Sequence, residues 1–199
     1  MGPRQASDEK AAHILKAALN VLTRQGYART TIKEVAAEAG VSRGLLHYYF
    51  KNKEEMLFMV VRESVVASSR LVETVFAAGR TRQEIAASIC QAIRSYVEKT
   101  PDSISILFES WSLARQSQSA REQLEELHAY FRQALARGLE SAMASGALTP
   151  ASPPMEVATV LTAFIDGLAF ELLVVSGLGS NDEFWRVTQR TLEAMLAEA

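Results

Sequence analysis

Residues Thr30–Lys53 read TTIKEVAAEAGVSRGLLHYYFKNK. Ile32, Val35, Ala36 and Ala39 recur at i, i+3, i+4 and i+7, the period of one buried helical face. Thr31 stands just before that face with Glu34 three residues on, the spacing of a capping box. Gly40 closes the helix where a left-handed residue is wanted, a conformation glycine alone takes without steric cost. Ser42 is then placed to cap a second helix from Arg43 to about Tyr49. Two short helices broken by one glycine cannot be collinear, so the stretch reads as a helix-turn-helix.

The second helix is unusual in what it leaves outside. At 100° per residue, Leu46 points inward and Phe50, one turn later, closes the core behind it. Arg43, Gly44, His47 and Tyr48 fall on the opposite side. That face offers a fixed cation, a gap, an imidazole and a phenol, with no acid. Such a surface approaches a polyanion closely and reads base edges. Asn52, flanked by Lys51 and Lys53, is a cap with Glu55 three residues later. The next helix therefore starts beside two ammonium groups, a phosphate-binding arrangement.

These residues carry a resemblance. AAEAGVSRGLLHYYFKNKEEML, residues 36–57, resembles the DNA-binding signature of the TetR family of bacterial transcription regulators. Gly40-Val41-Ser42-Arg43-Gly44, Leu46, Tyr48-Tyr49-Phe50, Lys53 and Leu57 match it in order and without gaps, over roughly residues 10–60. Leu45 and His47 occupy positions that vary in the family and so bear on which operator is read. The expected roles are Arg43 as a base reader through its two-pronged donor geometry, Gly44 as the point of close approach, and His47 and Tyr48 on base edges or phosphates. Thr31, Ser42, Tyr49 and Lys53 are expected to fix phosphates, contacts that position the protein without carrying sequence information.

The chain has 199 residues, 48% of them apolar, enough for a sizeable core, and a net charge of −2. Its distribution says more than the total. Residues 1–60 hold nine Lys/Arg against six Asp/Glu, and residues 61–199 hold twelve against seventeen. The basic end coincides with the helix-turn-helix, as an electrostatic footprint should. Cys90 is the single cysteine, so no intrachain disulfide forms and a reducing cytoplasm is expected. The N-terminal MGPRQASDEK lacks the apolar core of a signal peptide.

Periodicity predicts an all-α protein of about nine helices. Residues 1–8 read as a loose arm in which Arg4 and Lys10 are the cations. A first helix runs from Glu9 to Gln25 on Ile14, Ala18, Val21 and Leu22, ends at Gly26, and carries His13 on its surface. With the helix-turn-helix it makes a three-helix DNA-binding domain over residues 1–52. A helix from Lys53 to Gly79 then leads into a larger helical domain over residues 53–199. About 26 residues at 1.5 Å each span roughly 39 Å, making this helix a mechanical link. Further helices are expected from Thr81 with Glu84, from Pro101, from Ser119 with Glu122, from Ser152-Pro153, and from Ser180 with Glu183.

The run Val157–Leu178 carries two charges, Asp166 and Glu171. Its length suits a bilayer, but two central acids make insertion costly and no basic flanks are present. A helix apolar on nearly all sides is otherwise buried on all sides: one face by its own core, the other by a second copy. With the last helix it supplies half of a four-helix homodimer interface, which the resemblance also implies. Two recognition helices would then enter successive major grooves, about 34 Å apart, on a palindromic operator in double-stranded DNA.

The resemblance further implies a pocket in the middle helices for a small-molecule effector. The candidates are Cys90, Tyr96, Phe108, Trp111, His128, Tyr130 and Phe131, with Glu109 and Asp166 as polar anchors. Trp111 beside Glu109 suits an organic cation. The segment SWSLARQSQSAREQLEELHAYFRQAL, residues 110–135, with Asp166-Gly167-Leu168, is similar to the regulatory half of the betaine-regulator branch. Nothing marks an enzyme: His13, His47 and His128 are far apart, no metal-ligand pair or phosphate loop is present, and no cofactor is implied. The rival is a helical adaptor whose helix-turn-helix binds protein, which the acid-free Arg43/His47/Tyr48 face disfavours.

Overall fold

Helix α2 (Ile32–Glu38) begins at Thr31, whose hydroxyl accepts from the Glu34 N–H while the Glu34 carboxylate accepts from the Thr31 N–H at 2.9 Å. This capping box satisfies two of the amides that a helix start leaves open. At its other end the Val41 N–H reaches the Ala36 carbonyl at 3.0 Å and the Gly40 N–H the Ala37 carbonyl at 3.1 Å. Gly40 stands at φ 62° with nothing near its missing Cβ, so its backbone conformation alone demands glycine. Helix α3 (Arg43–Tyr49) starts on the Ser42 hydroxyl, which accepts from the Leu45 N–H at 3.2 Å.

The computed structural model describes residues 3–99 and 101–197, without the side chains of residues 3–8 and 101–103. Helix α1 (Pro3–Arg29) begins at Pro3 instead of Glu9, so residues 3–8 of the expected arm are helical. Met1, Gly2 and the Arg4 side chain lie outside the described residues. Gly26, at φ 76° and ψ 165°, breaks α1 where its end was predicted. The other helices are α4 (Lys53–Ala78), α5 (Arg82–Lys99), α6 (Pro101–Ala114), α7 (Gln118–Ala144), α8 (Pro154–Val174) and α9 (Asp182–Met195), with a 3-10 turn over Leu178–Ser180. Among the described residues this is an all-α chain of nine α-helices.

Two compact units result, one from Met1–Ser64 with Ser105–Glu125, the other from Val65–Ile104 with Glu126–Ala199. The division expected at residues 52/53 falls at the start of α4, whereas the compact units part within that helix. In the first unit Ile14, Ala18, Val21 and Leu22 of α1, Val35 and Ala36 of α2, Leu46, Phe50 and Leu57 are buried. In the second, α5 packs on α8 and α9. Phe76, Ile85, Leu135, Leu139, Leu161, Trp185 and Leu192 form its core.

Three predicted helix starts move. The α7 cap is Ser117, whose hydroxyl takes the Ala120 N–H at 3.2 Å, not Ser119. The α9 cap is Asn181, whose side-chain oxygen takes the amides of Glu183 and Phe184, not Ser180. Helix α8 begins at Pro154 and not Pro153, because a residue before proline is driven out of the helical region, and Pro153 sits at φ −55°, ψ 147°. That helix ends at Val174, short of Leu178.

Along α8, Val160, Phe170, Leu173 and Val174 are exposed, as is Val187 on α9. By length and composition α8 is the one helix among the described residues that meets the requirement for crossing a membrane. It nonetheless packs Ala158, Leu161 and Leu168 inward.

Candidate nucleic-acid interface

The seven residues of α3 make two turns and bury one side chain, Leu46, with Phe50 sealing the C-terminal end. The face opposite Leu46 is thereby turned to solvent. Arg43, Gly44 and His47 are exposed, and Tyr48 is 82% exposed. Tyr49 and Leu45 are half-buried, and the Tyr49 ring meets Tyr48 edge-on at 5.4 Å. The outward set named from the sequence is therefore the outward set in the structure. Thr31 and Ser42 are exposed at the starts of α2 and α3, where each already caps its helix.

Lys53 holds a position that helical periodicity does not reveal. Its ammonium donates to the carbonyls of Tyr27 at 2.9 Å and Ala28 at 3.1 Å, and lies 4.3 Å from the centre of the Tyr27 ring. An ammonium has three donors; two stitch the start of α4 to the end of α1. The α4 N-terminus is also less open than expected, since the Glu55 carboxylate accepts from the Lys51 N–H and Asn52 caps the Glu55 N–H at 2.8 Å. The phenol of Tyr27 is pushed above its ordinary range by burial, then by the charges of Glu54 and Glu109. His13 braces the other side, its Nε2 3.0 Å from the Ala39 carbonyl.

The nine effector candidates divide between the units. Phe108, Glu109 and Trp111 belong to the first; Cys90, Tyr96, His128, Tyr130, Phe131 and Asp166 belong to the second. Phe108 and Trp111 meet edge-on at 4.7 Å, while the Glu109 carboxylate accepts from the Tyr27 N–H. Cys90 is buried, its thiol 3.6 Å from the Trp185 carbonyl and raised in pKa by burial. Phe131 packs on the core and Tyr130 is 42% exposed. His128 Nδ1 and Asp166 Oδ2 stand 3.9 Å apart, beyond hydrogen-bond reach. Burial pushes Asp166 up to about 6 and His128 down; Arg132 opposes the first shift and adds to the second. His128 is thus held toward its neutral imidazole, while Asp166, raised only to about 6, is mostly ionised at neutral pH.

A small three-helix unit that turns an arginine, an imidazole and a phenol outward from its second short helix defines a helix-turn-helix DNA-binding regulator. Residues 14–60 match the model of bacterial regulatory proteins of the tetR family, and residues 82–197 the model of the BetI-type transcriptional repressor C-terminal region. The chain belongs to the TetR family of transcriptional regulators. The regulator BetI of Rhizobium meliloti is 32% identical over 157 residues, 78% of this chain and 73% of that one. The regulator YfiR of Bacillus subtilis is 26% identical over 196 residues, 93% and 94% of the two chains. A transcriptional regulator from Saccharomonospora viridis, solved with choline, superposes with a TM-score of 0.74 at 21% identity, covering 96% of this chain and all of its own. These relatives are transcriptional regulators.

Proposed function

We propose that this chain is a cytoplasmic, homodimeric repressor that grips a palindromic operator with two copies of α3 and lets go when a small molecule binds. The observation that carries it is the acid-free, solvent-facing set Arg43, Gly44, His47 and Tyr48. Arg43 reads guanine, His47 and Tyr48 contact base edges or phosphates, and Leu45 offers an apolar contact. Thr31, Ser42, Tyr49 and the third donor of Lys53 hold phosphates.

Pairing is supported by the exposed apolar side chains of Val160, Leu173 and Val174 on α8 and Val187 on α9. Exposed apolar side chains grouped on neighbouring helices mark association when they form a patch, and a two-fold pair matches a two-fold operator. The effector is proposed to engage residues among Tyr96, His128, Tyr130, Phe131 and Asp166. The BetI-type C-terminal half and the choline held by the Saccharomonospora viridis protein direct a first screen toward organic cations.

Selection from random duplexes tests the DNA reading. A palindrome with half-sites about one helical turn apart is expected, and a helical adaptor would enrich no motif. Thermal-shift screening of organic cations, acyl compounds and apolar molecules tests the effector, since a true ligand raises the melting temperature by mass action.

A further inference from the structure

Glu109 lies on α6, far in sequence from the helix-turn-helix, yet its carboxylate accepts from the Tyr27 N–H in the same unit. Its second oxygen rests where a side chain on Gly26 would begin, 2.9 Å from an added Cβ. Gly26 at φ 76°, ψ 165° is the break between the body of α1 and its last turn. The carbonyls of Tyr27 and Ala28, one and two residues beyond the break, are taken by the Lys53 ammonium. One short segment is thus held by an anion on its N–H side and a cation on its C=O side. Four residues past Tyr27 comes Thr31, the cap of α2. The peptide that Glu109 holds thus lies in the short stretch between the break in α1 and the cap of α2.

We propose that Glu109 is a positioning residue for operator recognition, acting through the Tyr27 amide to fix the angle of the α2–α3 pair against α1. This rests on the reading of the chain as a dimeric DNA-binding regulator. An acid in the basic unit weakens attraction to DNA, so charge alone predicts tighter binding once it is removed. A positioning role predicts the reverse. Charge-assisted hydrogen bonds are about twice as strong as neutral ones, and Glu109→Gln keeps an acceptor oxygen while removing the charge.

The test uses the full-length protein and the palindrome that the wild type selects, that palindrome with one base pair inserted at its centre, and a single half-site. For Glu109→Ala, anisotropy titration is expected to show about tenfold weaker binding to the palindrome and a reduced penalty for the insertion. Half-site binding should be unchanged or tighter, and Glu109→Gln, which keeps a weaker neutral acceptor, should fall between wild type and Glu109→Ala. Wild-type behaviour of Glu109→Ala on the palindrome and its insertion overturns the proposal. So does a parallel loss on all three duplexes with a lowered melting temperature, which marks a merely structural contact, or a Glu109→Gln as impaired as the alanine variant. A wild type that selects no palindrome sinks the regulator reading itself, and shows this before any variant is made.

Discussion

Asp166→Asn should make the protein more stable at pH 7.5, and the gain should vanish in acid. Burial raises the Asp166 carboxyl from 3.8 to about 6, with Arg132 offsetting part of the effect. The folded chain therefore holds a proton that the unfolded chain releases between those two values. Stability falls as pH climbs through that window, and the full cost is present above it. A rise of roughly two units at about 1.36 kcal/mol each sets a ceiling of about 3 kcal/mol. The side chain is 23% exposed, which lowers the expected effect to about 1–2 kcal/mol through solvent screening. Asparagine keeps the shape and removes the ionisation. Urea unfolding at fixed protein concentration, at pH 7.5, 6 and 4, reads the difference directly. An Asp166→Asn protein no more stable than wild type at pH 7.5, or a gain independent of pH, would refute the reasoning.

Arg43→Ala should lose about 1–3 kcal/mol on the selected operator and relax preference at one base position; an even loss on every operator variant would make Arg43 a phosphate clamp. Lys53→Ala should weaken binding to all sequences alike and reduce the salt slope by about one, and an unchanged slope would leave it only the task of stitching α4 to α1. Gly44→Glu should abolish binding by bulk and charge without shifting the melting temperature, because Gly44 is exposed; retained binding in gel shift would remove α3 from the interface. Phe170→Glu with Val160→Lys should turn the proposed dimer into monomer in sedimentation, and a persistent dimer would place the interface elsewhere.

The solvent-facing residues of α3 were legible because their placement depends on little beyond one short helix. Leu46, with Phe50 just past the C-terminal end, supplies the fully buried anchors, so the opposite face with Arg43, Gly44, His47 and Tyr48 has to point out. The caps at Thr31, Ser42 and Asn52 were equally readable, since each donor and acceptor lie within three or four residues. Where two caps compete, spacing does not decide: the helix starts fell to Ser117 and Asn181 and not to Ser119 and Ser180. The partners of Glu109 and Lys53 were hidden for a different reason. Glu109 meets an amide 82 residues away in sequence, and Lys53 meets carbonyls 26 and 25 residues away. No periodic pattern encodes such pairs. The same holds for the effector candidates, chosen as aromatics and acids at helical spacing and then divided between core, surface and a loose His128–Asp166 neighbourhood.

The apolar face of α8 has a consequence for inheritance. Under the proposed pairing, a chain with a ruined α3 still carries that face intact and still finds partners. Produced beside normal copies, it would draw them into mixed pairs with one working head, which grip a two-armed operator poorly. Lesions in the reading head should then be dominant, whereas lesions that also spoil α8 should be recessive.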